Sequence, residues 1–464
     1  MRDYGFVFTH RSVKCEGGNM RNKNVTLLAA LMILLWVSLF ANNYYISSSG
    51  DDRNSGTSPS SPWATLSSLD AVRFKAGDTV YFNRGDKWLG RFKIPESGTE
   101  QDPIRFTSYG EGAFPILSNP NWDYTWDGSV IRVSGEYIII ENLHFVDGAS
   151  HPYEENKSRH ENVYDMGAVN LSRDSKHCSV QYCEFEDYPI GVQSQGQYNR
   201  IYQNYFHDCN KGMCLPYWGP IGIFVGGSYN EISYNYVINY KGGGSGGFDG
   251  GAIEIDHFMW GAGHIGYGAD HIKIHHNISI ENAGFLEPEA LDNTRGNNYI
   301  EIYSNFSDDY KWFISDDDLN YSTIRNNTSL RVLPWQKSWH MVLAIQGIQN
   351  KVMNNVFIVS NGLKVIQYPE IDIEHKYNIY YSHDHSVADP IGKAKDSTEE
   401  ILYTWQKLYP ELYDKEGNIL RPSKDKKGVV RAWTPGSNKY KFEPFFIVLP
   451  QCRKKTPRNI SGQK

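Results

Sequence analysis

The 464-residue chain predicts an all-β fold, a solenoid of parallel β-helix type, and three observations carry that prediction. First, an aliphatic residue followed three positions later by Asn recurs along the middle of the chain. The pairs are Ile139/Asn142, Ile201/Asn204, Ile232/Asn235, Ile274/Asn277, Ile302/Asn305, Ile324/Asn327 and Val352/Asn355, and Val180/Cys183 keeps the pattern with Cys in the Asn slot. Successive slots lie roughly 21 to 42 residues apart, the spacing of stacked repeats. Second, short β-branched runs alternate with Gly and Asn while helical periodicity is scarce, which calls for many short strands and tight turns. Third, an Asn side chain both donates and accepts, so identical Asn residues stacked coil on coil can form a continuous ladder. A solenoid grows along one axis and needs no domain boundary to reach this length.

Four segments follow from the pattern. Residues 1–41 hold an export segment, with Arg21 and Lys23 ahead of the apolar run Val25–Ala41. That run of about 17 residues reads as a signal peptide, or as a membrane anchor if it is retained, and Met20 is a candidate start. Residues 42–130 form an N-terminal cap and the first coils, 131–382 the β-helix with its groove, and 383–464 an irregular C-terminal segment. In the cap, Tyr44–Thr57 is a strand and polar turn, and Trp63, Leu66, Leu69 and Val72 share one face of a short helix. Strands follow at Gly77–Phe82 and Pro103–Thr107, so helix and strands together cover the open end of the solenoid.

The net charge of −7 and pI of about 6.1 give no support to nucleic-acid binding. They also require that any groove for an acidic polymer be locally basic or hold a cation. Among the six cysteines, Cys209 and Cys214 could staple a loop, but the set reads as buried thiols, and its spacing matches no zinc motif. Asn277, Asn305 and Asn327 begin Asn-x-Ser/Thr triplets; as ladder residues they are expected inside the coil, closed to glycosylation.

The segment from Tyr44 to about Gly110, followed by the Asn repeat, resembles the exported right-handed parallel β-helix proteins of the pectate-lyase-like superfamily. The resemblance covers roughly residues 44–382 and implies a right-handed coil. It also implies a carbohydrate partner, without choosing among lyases, hydrolases, epimerases and binding proteins.

Alignment on the Asn slots places one strand ahead of each: Ile190–Ser194, Ile221–Val225, Ala252–Asp256, Phe285–Glu289, Phe313–Asp317 and Met341–Ile345. These are expected to form one parallel sheet. Alternation turns Ile253 and Ile255 inward, and Glu254 and Asp256 outward on one face. Insertions at Asp147–Asp165, Gly242–Gly251 and His257–Ala269 are expected on the binding side. Glu254, Asp256, Glu287, Glu289, Asp316, Asp317 and Asp318 then crowd three adjacent rungs, which raises carboxyl pKa values, binds a cation, or both.

A glycoside hydrolase needs one protonated and one ionised carboxyl group. Glu254 as acid and Asp256 as base fill those roles, tuned by Glu287 or Asp316; the Glu-x-Asp spacing resembles that of β-helical carrageenan hydrolases. This reading needs no cofactor. A Ca²⁺-dependent polysaccharide lyase or epimerase would instead use Glu254, Asp256, Glu287, Glu289 and Asp317 as ligands. Its base would come from Arg295, Lys311, His257 or Lys337, none of which occupies the strand position just beyond the carboxylates. A non-catalytic glycan-binding or structural solenoid is the third reading. His257, Trp260, Arg295, Lys311 and Trp312 are the candidate sugar contacts. The histidines His257, His264, His271, His275 and His276 read as structural rather than metal-binding, since neighbours on the ladder point opposite ways.

Overall fold

The computed structural model describes residues 41–121, 128–152, 166–215, 218–242, 250–256, 269–289, 297–315, 319–331, 342–360, 362–366, 373–376 and 378–382. The chain divides into Met1–Asn42 and Asn43–Lys464. The expected export segment and the segment from 383 onward lie outside the described residues. Among the described residues, no helix is long and apolar enough to cross a membrane.

The second unit is built on three long sheets, of twelve, eight and eleven strands among the described residues, and every pairing in them is parallel. A complete coil contributes one short strand to each sheet. Ile190–Ser194, Arg200–Tyr202 and Tyr205–Cys209 make one coil; Ile221–Val225, Glu231–Ser233 and Tyr236–Tyr240 make the next, each paired to its predecessor. The interior is lined by columns of like side chains. Val180, Ile201, Ile232, Ile274, Ile302, Ile324 and Val352 stand in register and are fully buried. Phe145, Phe185 and Phe206 stack beside them with ring centroids 5.0 and 4.6 Å apart.

The repeating Asn closes the turn between the twelve- and eleven-stranded sheets. In the ladder Asn204–Asn235–Asn277–Asn305–Asn327–Asn355–Asn378, each backbone N–H donates to the next residue's Oδ1. Each Nδ2 from Asn204 onward also donates to the carbonyl of the aliphatic residue one coil earlier, as Asn305 does to Ile274 at 2.9 Å. Cys183 N joins the ladder by donating to Asn204 Oδ1. The triplet asparagines Asn277, Asn305 and Asn327 are buried in it. At the first coil the expected register is one residue off. Ile140, not Ile139, pairs with Val180, and Asn142 takes the left-handed turn position at φ 58° that Tyr182 and Gln203 take in the next coils. Three isoleucines in a row, Ile138, Ile139 and Ile140, let either choice fit the pattern; Ile138 and Ile140 are the buried ones, and the pairing decides it.

A second polar ladder closes the turn five residues earlier. Cys178 N donates to Asn199 Oδ1, Asn199 N to Asn230 Oδ1, and Ser322 N to Asn350 Oδ1. Just before each of these residues sits one in the left-handed region. Tyr137, His177, Tyr198, Tyr229, His271, Tyr299 and Tyr321 all have φ between 53° and 58° or close above it, at 62° for Tyr229. Such a backbone costs about 1–2 kcal/mol for a bulky residue. Their rings stack one on another along the coil, with centroids 4.8 to 5.3 Å apart, which offsets part of that cost. His271 is thus a stacking residue, and His275 and His276 bond each other through Nδ1 atoms 2.7 Å apart.

The cap helix is a 3₁₀ helix, Leu66–Ala71, burying Leu66 and Leu69. Its apolar residues recur every third position, and a helix of three residues per turn stacks them on one face. Cys178, Cys183, Cys209 and Cys214 are buried and free, so Cys209 and Cys214 form no staple.

Toward the C-terminal coils the core turns polar. Arg331 is fully buried near Asp308 and Asp309; burial pulls its pKa down to about 10, and the two carboxylates hold it from falling further. Burial, then the charge of Asp309, pushes Asp308 up to about 7. Between about pH 4 and 7 the folded Asp308 keeps a proton that the unfolded chain has released, so its contribution makes stability fall as pH rises across that window. Asp308→Asn removes this slope: the stability difference between variant and wild type is expected to shift in favour of the variant from pH 4 to 7 in urea titrations, and a pH-independent difference would contradict it. Asn305→Ala strips an acceptor from two buried Asn277 N–H groups and a donor from Ile274. It is expected to cost roughly 2–4 kcal/mol in urea unfolding; a loss below about 0.5 kcal/mol would show that the ladder is not what holds the turns.

Candidate active site

The eight-stranded sheet carries the predicted groove strands. Ile190–Ser194 and Ile221–Val225 are strands as expected, and Gly251–Asp256 and Gly284–Glu289 each begin one residue early. Trp312–Ile314 and an isolated bridge between Ile314 and Leu343 continue the stack. Ile253 and Ile255 belong to the main core cluster, so Glu254 and Asp256 between and beyond them face away from it. Parallel register sets Glu254 beside Glu287 and Asp256 beside Glu289.

These carboxylates are close together and largely withdrawn from water. Glu254 is 3% and Asp256 2% exposed, while Glu287 and Glu289 are half-buried. Glu254, Asp256 and Glu289 each place a carboxylate oxygen within 4.8 Å of the other two. Two like charges at that separation repel by about 3 kcal/mol at an effective dielectric of 20. Oxygen ligands of Ca²⁺ sit 2.3–2.6 Å from the ion, so oxygens of one shell are at most about 5 Å apart. The three carboxylates therefore fit one hard-cation shell, and their donor chemistry is that of calcium.

Reading the outward column from the N-terminal side gives Lys93, Arg132, Asn170, Gln193, Phe224, Glu254 and Glu287 on consecutive rungs. Asn170 donates to Gln193 Oε1 at 2.9 Å. Phe224 packs outside the coil with Met166, Ile190, Met213, Cys214 and Ile221, forming an apolar wall beside the carboxylates. Ile221–Val225 is apolar on both faces, the mark of a strand covered on both sides.

Trp312 is 4% exposed and lies on Gly284: a Cβ there would come within 2.0 Å of Trp312 Nε1. The indole fills the space of the missing side chain and offers no open face to a sugar. Lys311, also buried, holds its Nζ 4.9 Å from the Trp312 ring centre. It precedes Ser315, the position aligned with Glu287, by four residues, or about 13 Å of strand. Thus Glu254, Asp256, Glu287 and Glu289 come together, and Lys311 and Trp312 lie upstream on the same sheet. His257, Trp260, Arg295, Asp316 and Asp317 lie outside the described residues, as do Asp318, His264 and Lys337.

No protein-family model matches the chain, and no curated protein matches it in sequence. Solved structures do. A rhamnogalacturonan lyase superposes with a TM-score of 0.60 at 14% identity, over 84% of this chain and 97% of that one. The chain is a right-handed parallel β-helix. It shares this fold with that rhamnogalacturonan lyase. Pectate lyase Pel9A has a TM-score of 0.43 at 13% identity, over 87% of this chain and 92% of its own. A GH136 lacto-N-biosidase from Eubacterium ramulus has 0.43 at 15%, over 78% and 71%. At such identities the likeness speaks to fold, and chemistry has to be argued from side chains.

The carboxylate cluster makes a stability prediction. In EDTA, Glu254→Gln is expected to raise the melting temperature by relieving repulsion, while added Ca²⁺ raises that of the wild type and has less effect on the variant. A wild-type melting curve that ignores Ca²⁺ would contradict the cation reading.

Proposed function

We propose that the chain is an exported polysaccharide-degrading enzyme that cleaves a uronate-containing glycan by cation-assisted elimination. Its centre is the carboxylate set Glu254, Asp256 and Glu289. The observation that carries this reading is the mutual approach of those three oxygens to within 4.8 Å. A hydrolase works with two carboxyl groups, about 5–5.5 Å apart when retaining and about 6.5–9.5 Å when inverting, whereas here three carboxylates converge. A calcium ion bound by these residues would neutralise the substrate carboxylate and acidify the proton at C5.

The other residues of the column suit an anionic chain. Glu287, half-buried beside Glu254, borders the cation position and repels any sugar carboxylate that is not drawn to the ion. Lys93 and Arg132 lie four to five rungs from Glu254, about 19–24 Å along the axis, where they can pair with acidic units further along the substrate. The Phe224 wall excludes water from one side of the centre. The proton acceptor is expected from the segments that follow the two carboxylate strands in sequence, which carry His257 and Arg295, since Lys311 starts too far upstream. The apolar segment Val25–Ala41 and a polymeric substrate together support action outside the cytoplasm. Hydrolysis by Glu254 and Asp256 is the second reading, favoured by their shared outward face on one strand.

The test offers purified protein a panel of neutral and acidic polysaccharides and follows reducing ends and the ultraviolet absorbance of unsaturated uronides, with and without EDTA. Elimination predicts absorbance that EDTA abolishes and that Glu289→Gln lowers by at least tenfold. Reducing ends without absorbance, insensitive to EDTA and lost in Glu254→Gln, would replace it with hydrolysis. No product from any glycan would remove the enzymatic reading.

A further inference from the structure

A second ligand cluster lies on the outward face of the eleven-stranded sheet, away from the carboxylate groove. Three consecutive strands supply it: His144–Val146, Glu184–Glu186 and Tyr205–Cys209. Register sets His144 beside Glu184, and Glu186 beside His207. Alternation sends Phe145, Phe185 and Phe206 into the core, so His144, Glu184, Glu186 and His207 all project outward. We propose that these four side chains form a divalent transition-metal site, suited to Zn²⁺, that staples three successive coils.

The distances match a tetrahedral shell. With metal–ligand bonds of about 2.0–2.1 Å, neighbouring tetrahedral ligand atoms lie about 3.3 Å apart. His207 Nε2 is 3.0 Å from Glu184 Oε1, and His144 Nε2 is 3.7 Å from that same oxygen and 3.1 Å from Glu186 Oε2. Taken together, one atom from each of the four residues lies within 4.8 Å of the others. Imidazole with carboxylate is a zinc donor set, whereas the all-carboxylate groove suits calcium. Four protein ligands leave no open position, so the role is structural and not catalytic.

Two further observations point to a ligand. His144 is 8% exposed, and its Nε2 makes no hydrogen bond of acceptable geometry despite the carboxylates around it. A ring nitrogen left without a hydrogen bond among these carboxylates is one whose lone pair an ion at the centre of the four atoms would satisfy. His207 is oriented as metal-binding histidines are: its second nitrogen, Nδ1, lies 3.0 Å from Asp208 Oδ2. Asp208 is in turn held by Asn239 Nδ2 at 2.7 Å. Tyr205 stacks on the His207 ring, with centroids 4.2 Å apart, and fixes its plane. Asp208 is a positioning residue; it acts through the imidazole.

The test uses the full chain stripped with chelator and titrated with Zn²⁺ alone. The wild type is expected to take up one zinc per chain that survives Glu254→Gln/Asp256→Asn in the other cluster and is lost in His144→Ala/His207→Ala. Asp208→Asn is expected to weaken zinc binding 10- to 100-fold without changing the stoichiometry. Because the double histidine variant could misfold, Co²⁺ is added to the wild type as a second readout. A visible ligand-field band of tetrahedral intensity, displaced by Zn²⁺, supports the site. Failure of the folded wild type to take up zinc, zinc binding that persists without both histidines, or a six-coordinate cobalt spectrum would overturn it.

Discussion

The buried asparagine ladder is the constraint on which the rest of the molecule depends. Every coil must turn from one sheet to the next, and each turn frees backbone N–H and C=O groups inside the solenoid. From Asn204 onward one Asn per coil answers both, accepting from the backbone N–H one coil earlier and donating to a carbonyl near it. An unsatisfied buried group costs about 1–3 kcal/mol, so a coil shifted by one residue would lose more than its packing could return. The ladder therefore fixes register, and register decides which side chains face in and which face out.

Both candidate sites are consequences of register, and the carboxylate strands lie on coils that the ladder itself holds. Glu254 beside Glu287 and Asp256 beside Glu289 are cross-rung neighbours, as are His144 beside Glu184 and Glu186 beside His207. A parallel β-helix places like positions about 4.8 Å apart on successive rungs, close enough for side chains from two or three coils to share one ion. Ions between rungs would serve the fold by holding coils together and the groove by fixing charge.

The fold was legible because the ladder repeats one residue type at one place, and four of the six expected groove strands could be aligned on it to within one residue. Ile139 failed because Ile138, Ile139 and Ile140 are chemically equivalent, and only pairing with Val180 distinguishes them. Glu254 and Asp256 were legible as an outward pair because they alternate with Ile253 and Ile255. Their burial was not, since alternation along one strand carries no record of what lies over the sheet. The stacked Tyr and His rings sit three residues before each interior aliphatic, as in Tyr198/Ile201 and Tyr229/Ile232. That periodicity was present but masked, because an exposed aromatic in a left-handed turn runs against ordinary turn chemistry. The His144 cluster left no spacing motif, since its four residues come from three coils.

Crystals grown with Ca²⁺ and measured for anomalous scattering would test the central claim most directly. The account predicts one peak coordinated by Glu254, Asp256 and Glu289 on the outer face of the eight-stranded sheet. Those carboxylates turned into the coil, or left without an ion at saturating calcium, would contradict it.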